Sequence, residues 1–123
     1  LVRVDLNNGV GELILNRPKQ RNSLIGPSVW ALRDGLKTLE KDPQCKVIII
    51  RGEGGFFCAG LDLKAFSADP APEWKQHFQR DWVDFHRQVL NCDKPIIGAL
   101  DGFAIAGGSA LAMAQAQQTG GIR

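Results

Sequence analysis

Several features that mark other protein classes are missing from this chain of 123 residues. Its three cysteines, Cys45, Cys58 and Cys92, form no CxxC pair, and neither histidine lies at zinc-like spacing from a cysteine. No metal site is therefore expected. An odd number of cysteines without a pairing pattern is typical of a reducing compartment.

The chain also lacks a long apolar run and a strong charge bias. No stretch reaches the roughly 18 apolar residues that a membrane span requires. The net charge of +2 is too small to favour nucleic acid or anionic lipid as a partner. Because the length and the 44% hydrophobic content are ordinary for one globular domain, we expect a single domain with no membrane span and no nucleic-acid partner.

No targeting signal is recognisable at the start of the chain. The opening LVRVDLNNG is typical of a strand and not of a signal or transit peptide. A cytoplasmic protein is therefore expected. The alternative is a mitochondrial or peroxisomal protein from which a targeting segment has been removed.

The first half of the chain predicts a hairpin, a helix and a buried strand. Asn-Asn-Gly separates two extended runs in LVRVDLNNGVGELIL, which is a strong hairpin signal because Asn and Gly tolerate positive φ. An apolar stripe at spacings of three and four predicts an amphipathic helix, formed by Val29, Leu32, Leu36 and Leu39. The β-branched run KVIIIR predicts a parallel strand buried on both faces.

The second half repeats the alternation of helix and strand. Apolar positions at helical spacing predict a second amphipathic helix over about residues 72–90. PIIGAL predicts another buried strand, and an Ala-rich helix follows it after DGFAIAGG. Strands that alternate with helices favour an α/β fold with a parallel sheet.

Two turns rich in small residues follow the two predicted core strands. One is FFCAGL, after KVIIIRGEGG, and the other is DGFAIAGG, after PIIGAL. Gly and Ala let a ligand approach the backbone, so two neighbouring turns can direct N–H groups at one carbonyl oxygen. Tight packing alone would also explain each turn. Neither fits GxxxxGK[ST] or GxGxxG, so phosphate binding is less favoured.

Three motifs together resemble the enoyl-CoA hydratase/isomerase family, which is often called the crotonase family. They are LNRP…RNSL, VIIIRGEGGFFCAGLDLKAF and KPIIGALDGFAIAGGSALAMA, and they run from about residue 2 to about residue 114. The resemblance implies a ClpP/crotonase-like α/β spiral of ββα units and an acyl-CoA thioester substrate. It implies no separate cofactor, because coenzyme A is part of the substrate, and a homotrimer or hexamer in the full-length form.

The resemblance also implies which residues form the site. The backbone N–H groups of Leu61 and Gly107 would form an oxyanion hole that polarises the thioester carbonyl. Contacts to the substrate are implied along both turns, at Ala59, Gly60, Leu61, Asp62, Leu63, Lys64 and Gly108. The loop from Arg17 to Leu24 would add contacts to coenzyme A.

Several side chains near these motifs allow two interpretations. Lys64 suits a coenzyme A phosphate or plain solvent exposure. Asp62 is expected to cap the short helix LKAF and not to act in the chemistry. Trp74, Phe78 and Trp82 favour core packing, although the family's acyl pocket borders this helix.

The remaining polar side chains of the second helix are assigned no chemistry. His86 is expected to be a half-exposed helix residue. Asp81 and Asp84 are expected to be solvated. The short basic stretch RPKQR, at residues 17–21, is expected to be a solvated loop.

The chain departs from the family pattern at one catalytic position. Hydratases of the family carry a glutamate three residues after the second N–H donor, where this chain has Ala110. Isomerisation is therefore favoured over hydration. Residues 1–123 are expected to form a partial spiral domain with a divergent tail from about residue 115, without the later turns and the helical trimerisation region. The alternative is a non-catalytic fragment or pseudoenzyme that binds acyl-CoA or acts only through assembly.

A peptidase is a third class to consider, because Ser109 lies in GGSA. No histidine follows it in the chain, so this interpretation is set aside.

Overall fold

The computed structural model of the protein describes residues 1–55, 57–58 and 60–99. The predicted Ala-rich helix lies outside the described residues. So do five positions considered above, namely Ala59, Gly107, Gly108, Ser109 and Ala110.

The chain begins with the predicted β-hairpin. Strand β1 (Val2–Asn7) pairs antiparallel with β2 (Val10–Leu15). The turn places Asn8 at φ 52° and Gly9 at φ 84°. These are the left-handed conformations that a two-residue hairpin turn requires, so the Asn-Gly signal is confirmed.

A four-stranded mixed sheet is built on this hairpin. Strand β3 (Val47–Gly52) lies parallel to β2, and β4 (Ile96–Ala99) lies parallel to β3, which gives the order β1-β2-β3-β4. The predicted α/β class with a parallel sheet is confirmed. Because β2, β3 and β4 run in one direction, their carboxyl ends lie along the same edge of the sheet.

Helix α1 (Gly26–Lys41) packs against the sheet and α3 (Phe78–Leu90) packs against α1, and a single turn, α2 (Leu63–Phe66), lies between them in the sequence. The four apolar positions of the α1 stripe are all buried, as predicted. The second predicted helix differs at its start. Residues Glu73–His77 form a 3-10 helix, in which the Lys75 N–H donates to the Pro72 carbonyl at 3.1 Å, and α-helical geometry begins at Phe78.

The hydrophobic core lies between the sheet and the two long helices. Ile48 and Ile50 of β3 are fully buried against it, together with Leu13 of β2 and Phe85 of α3. On the opposite face of β3, Val47 and Ile49 are half-buried. In the part of the chain that the structure describes, the strand is therefore fully buried on one face, not on both as KVIIIR predicts.

The prediction that Asp81 is solvated is wrong. Asp81 is 5% exposed and accepts a hydrogen bond of 2.7 Å from the Trp30 indole N–H. The guanidinium groups of Arg80 and Arg33 lie 3.4 Å and 4.0 Å from its carboxylate. Because α3 packs against α1 through this face, the carboxylate is buried with donors around it. Asp84 is exposed, as predicted.

We predict that Trp30→Phe lowers the free energy of unfolding by about 1–2 kcal/mol, because the Asp81 carboxylate loses a buried hydrogen-bond donor while the ring is largely kept. Urea unfolding measures this. In an Asp81→Ala background the same substitution should cost much less. Equal costs in the two backgrounds would show that the indole–carboxylate bond does not contribute.

Candidate functional site

Two loops leave the same edge of the sheet side by side. Leu15, the last residue of β2, pairs with Gly52, the last residue of β3. The loops that follow stay together, because the Leu24 N–H donates to the Gly60 carbonyl at 2.7 Å and the Asp62 N–H donates to the Leu24 carbonyl at 2.8 Å. These two bonds form a short parallel bridge between Leu24 and Leu61.

The bridge determines the direction of the Leu61 N–H group. Leu24 bonds to the residues on either side of Leu61, so the N–H and C=O groups of Leu61 point away from Leu24. Within the described residues, no acceptor takes the Leu61 N–H. Gly60 precedes it at φ 90°, a conformation that a side chain would disfavour. The N–H of Leu61 is therefore a backbone donor without an acceptor in the part of the chain that the structure describes.

Apolar burial and a thiol stabilise the start of this turn. Phe57 and Cys58 are both fully buried. The Gly60 N–H donates to the Cys58 Sγ at 3.3 Å. Burial raises the pKa of the Cys58 thiol, which favours its protonated form at neutral pH.

Asp62 caps α2, as predicted. Its Oδ1 accepts the Ala65 N–H at 3.0 Å, and its Oδ2 lies 3.1 Å from Arg17 Nη2 and 3.3 Å from the Ser23 hydroxyl. The hydrogen bond from the Ala65 N–H, and then Arg17, hold the pKa of the Asp62 carboxyl below its usual value, although burial opposes this. The carboxylate is therefore charged at neutral pH.

Arg17 extends this network into the preceding loop. Its Nη1 donates to the Ser23 carbonyl at 2.6 Å, and its backbone N–H donates to the Asn22 Oδ1 at 2.8 Å. The Asn22 side-chain amide in turn donates to the Glu53 carbonyl at 2.9 Å. The prediction of a solvated loop over RPKQR is therefore wrong for Arg17, whose side chain is 17% exposed. Residues 18–21 are exposed as predicted, but Pro18–Gln20 form a 3-10 helix and not a loop.

The other predicted contact residues lie at the surface beside the turn. Leu63 is 71% exposed, and Lys64 is exposed. A cleft of about 730 Å³ lies further along, between α2 and the 3-10 helix, and Phe66, Pro72 and Lys75 are among its lining residues. Leu61 does not line that cleft. The candidate site is therefore defined by the turn, not by the cleft.

The aromatic side chains of the second helix pack as predicted. Phe78 belongs to the buried core, and Trp74 and Trp82 are partly buried against it. The ring of His86 lies 4.4 Å from that of Trp82, and its Nδ1 bonds to the Trp82 carbonyl at 2.8 Å. His86 is half-buried, which confirms the prediction made for it.

Residues 1–55, 57–58 and 60–99 contain no group of three or more His, Cys, Asp or Glu side chains that could hold a metal ion. Among the same residues, no helix has the length and apolar character needed to cross a membrane.

The fold matches that of known proteins. A family model described as enoyl-CoA hydratase/isomerase matches residues 5–116. The structure of an enoyl-CoA hydratase from Bacillus anthracis superposes with a TM-score of 0.83 at 30% identity, over 92% of this chain and 44% of that one. The fold is thus that of the crotonase family. The chain belongs to the enoyl-CoA hydratase/isomerase family, which confirms the resemblance.

Two relatives with different names align over most of the chain. Enoyl-CoA hydratase domain-containing protein 2, mitochondrial, from Bos taurus is 38% identical over 109 residues, which are 88% of this chain and 36% of that protein. A 4-chlorobenzoyl coenzyme A dehalogenase from Arthrobacter is 29% identical over 116 residues, 92% of this chain and 42% of that protein. The chain thus spans less than half the length of these relatives.

The lowered pKa of Asp62 predicts a pH-dependent stability. The charged carboxylate contributes stability that is fully present above its ordinary pKa and is lost as the pH falls through the lowered value. Asp62→Asn should therefore reduce the free energy of unfolding by about 1–2 kcal/mol at pH 6, and by less as the pH falls below the ordinary pKa of about 3.9.

Urea unfolding midpoints at pH 6 and in the acid range measure this difference. Asp34→Asn, which removes the same charge at an exposed position of α1, is the matched control. A cost of Asp62→Asn that does not change with pH would contradict the assignment.

Proposed function

We propose that the full-length protein binds an acyl-CoA thioester and polarises its carbonyl through the backbone N–H groups of Leu61 and Gly107. The observation that carries this proposal is the direction of the Leu61 N–H, which points away from Leu24 and meets no acceptor among the described residues. Membership of the enoyl-CoA hydratase/isomerase family supports the thioester as the ligand. Gly107, the second donor, lies outside the described residues.

We also assign contacts to the substrate along both turns. They are Gly60, Leu61, Asp62, Leu63 and Lys64, with Ala59 and Gly108 as further members outside the described residues. The exposed ammonium group of Lys64 suits a phosphate, because it carries a mobile point charge at the surface beside the turn. Asp62 contributes by its backbone position and by capping α2.

The chemistry follows from polarisation of the carbonyl. Removal of a proton next to a thioester carbonyl places negative charge on its oxygen, and each preorganised donor stabilises that charge by up to ~4 kcal/mol. The acid–base step needs a side chain that we do not assign to the described residues. Because Ala110 cannot take or give a proton, we propose double-bond isomerisation as the reaction, in preference to hydration.

The same alanine favours a second candidate function. A chain that has the N–H donors of Leu61 and Gly107 but Ala110 in place of the first catalytic glutamate keeps the groups that would bind the thioester carbonyl. A non-catalytic acyl-CoA binder, or a protein that acts only through assembly, is therefore the alternative. In either case we propose a homotrimer or hexamer for the full-length form, and no cofactor besides the coenzyme A of the ligand.

Binding through the carbonyl is tested by removing the carbonyl from the ligand. In calorimetry with the full-length protein, a saturated acyl-CoA should bind at least about tenfold more tightly than the matching S-alkyl-CoA thioether, because the thioether leaves both donors unpaired. The two ligands share the coenzyme A and the chain. Equal affinities would contradict the oxyanion hole, and binding of neither would leave only the assembly role.

The reaction type is tested with two enoyl thioesters. The full-length protein should convert 3-enoyl-CoA to 2-enoyl-CoA, whereas it should not add water to 2-enoyl-CoA, and liquid chromatography of the products distinguishes the two. Hydration at a comparable rate would refute the assignment based on Ala110. Turnover of neither thioester would favour the non-catalytic alternative.

A further inference from the structure

Arg17 connects the two loops that border the candidate site. Its Nη1 bonds to the Ser23 carbonyl at 2.6 Å in its own loop, and its Nη2 bonds to the Asp62 Oδ2 at 3.1 Å in the other. Both side chains of the ion pair are largely buried, with 17% of Arg17 and 14% of Asp62 exposed. A planar guanidinium with two parallel donors fixes the geometry between its partners more tightly than a single ammonium group can.

The turn needs a restraint of this kind beside Leu61. Gly60, on one side of it, has no side chain, and glycine is the residue with the greatest backbone freedom. Asp62, on the other side, is held at both carboxylate oxygens, by the Ala65 N–H and by Arg17. The direction of the Leu61 peptide is therefore determined from the Asp62 side and from the Leu24 bridge.

We infer that Arg17 is a positioning residue for the oxyanion hole, because its guanidinium holds the Leu24 loop against Asp62 and so keeps the Leu61 N–H directed at the thioester oxygen. This inference rests on the proposed function. The inference goes beyond the proposed function because it gives Arg17 an effect on the strength of the hydrogen bond from the Leu61 N–H to the ligand. This effect acts through Asp62, and Arg17 itself does not contact the ligand.

The contacts of Arg17 argue against the simpler role of binding a coenzyme A phosphate. Both terminal nitrogens already donate to protein oxygens, and little of the side chain reaches solvent. A phosphate would have to compete with a carboxylate that is already paired. The Lys64 side chain, in contrast, is exposed, and it makes no hydrogen bond or ion pair with a protein oxygen among the described residues.

The test uses the carbonyl stretching frequency of a saturated acyl-CoA bound to the full-length protein, read by isotope-edited infrared difference spectroscopy. Hydrogen bonds to the oxygen lower this frequency. In Arg17→Gln the frequency should move most of the way back to that of the free thioester, while the affinity falls by about tenfold or less. Arg17→Lys keeps the positive charge but loses the paired N–H donors of the planar guanidinium, so it should give an intermediate frequency.

Arg51→Gln is the matched control. Arg51 is also a half-buried arginine with carboxylate partners, Glu12 at 3.5 Å and Glu53 at 3.6 Å, but it lies on β3 and does not contact Asp62. Its loss should leave the frequency unchanged.

Each outcome bears on one claim. An unshifted frequency in the wild-type complex refutes the proposed function itself. A lowered frequency that Arg17→Gln and Arg17→Lys both keep refutes the positioning role alone. A large loss of affinity at an unchanged frequency shows direct binding by Arg17 and also overturns the inference. If Arg17→Gln does not fold, the frequency in Arg17→Lys decides.

Discussion

The carboxylate of Asp62 joins two loops that the sheet only brings near each other. One oxygen caps α2 through the Ala65 N–H, and the other meets Arg17 and Ser23 of the loop after β2. Between these fixed points lies Leu61, whose N–H remains without an acceptor in the described part of the chain. A donor can stabilise developing charge without reorganisation only if it is held in place beforehand. The candidate site therefore depends on this network more than on any cavity.

The sheet and the hydrophobic core hold the two loops of this network in place. Parallel pairing of β2 and β3 places the ends of both strands at one edge, so the two loops start a few ångströms apart. The core of α1, α3 and the inner face of the sheet makes that edge rigid. Phe57 and Cys58 extend the core to the start of the turn and keep water from its inner side. The candidate site therefore lies at the protein surface, directly above the hydrophobic core.

Local patterns predicted much of this architecture. The Asn-Gly pair predicted the hairpin, the α1 stripe predicted its buried face, and Asp62 before LKAF predicted the helix cap. Each of these depends on residues close together in the sequence. The family followed from three motifs in order, and the match over residues 5–116 confirms it.

The two errors on charged residues, at Arg17 and Asp81, came from contacts between distant residues. Arg17 and Asp62 are 45 positions apart, and Trp30 and Asp81 are 51 apart, so no local pattern shows that either charge is paired. A charged residue in a loop or on a helix is ordinarily solvated, and both exceptions required a specific partner from another element. The roles of Leu61 and Gly107 stay predictions, because they concern a ligand.

The most direct measurement is a crystal structure of the full-length protein with a saturated acyl-CoA bound. The account predicts that the thioester oxygen lies about 2.7–3.1 Å from the backbone nitrogens of both Leu61 and Gly107. A carbonyl bound elsewhere, or a Leu61 N–H that donates to a protein acceptor in that complex, would contradict it.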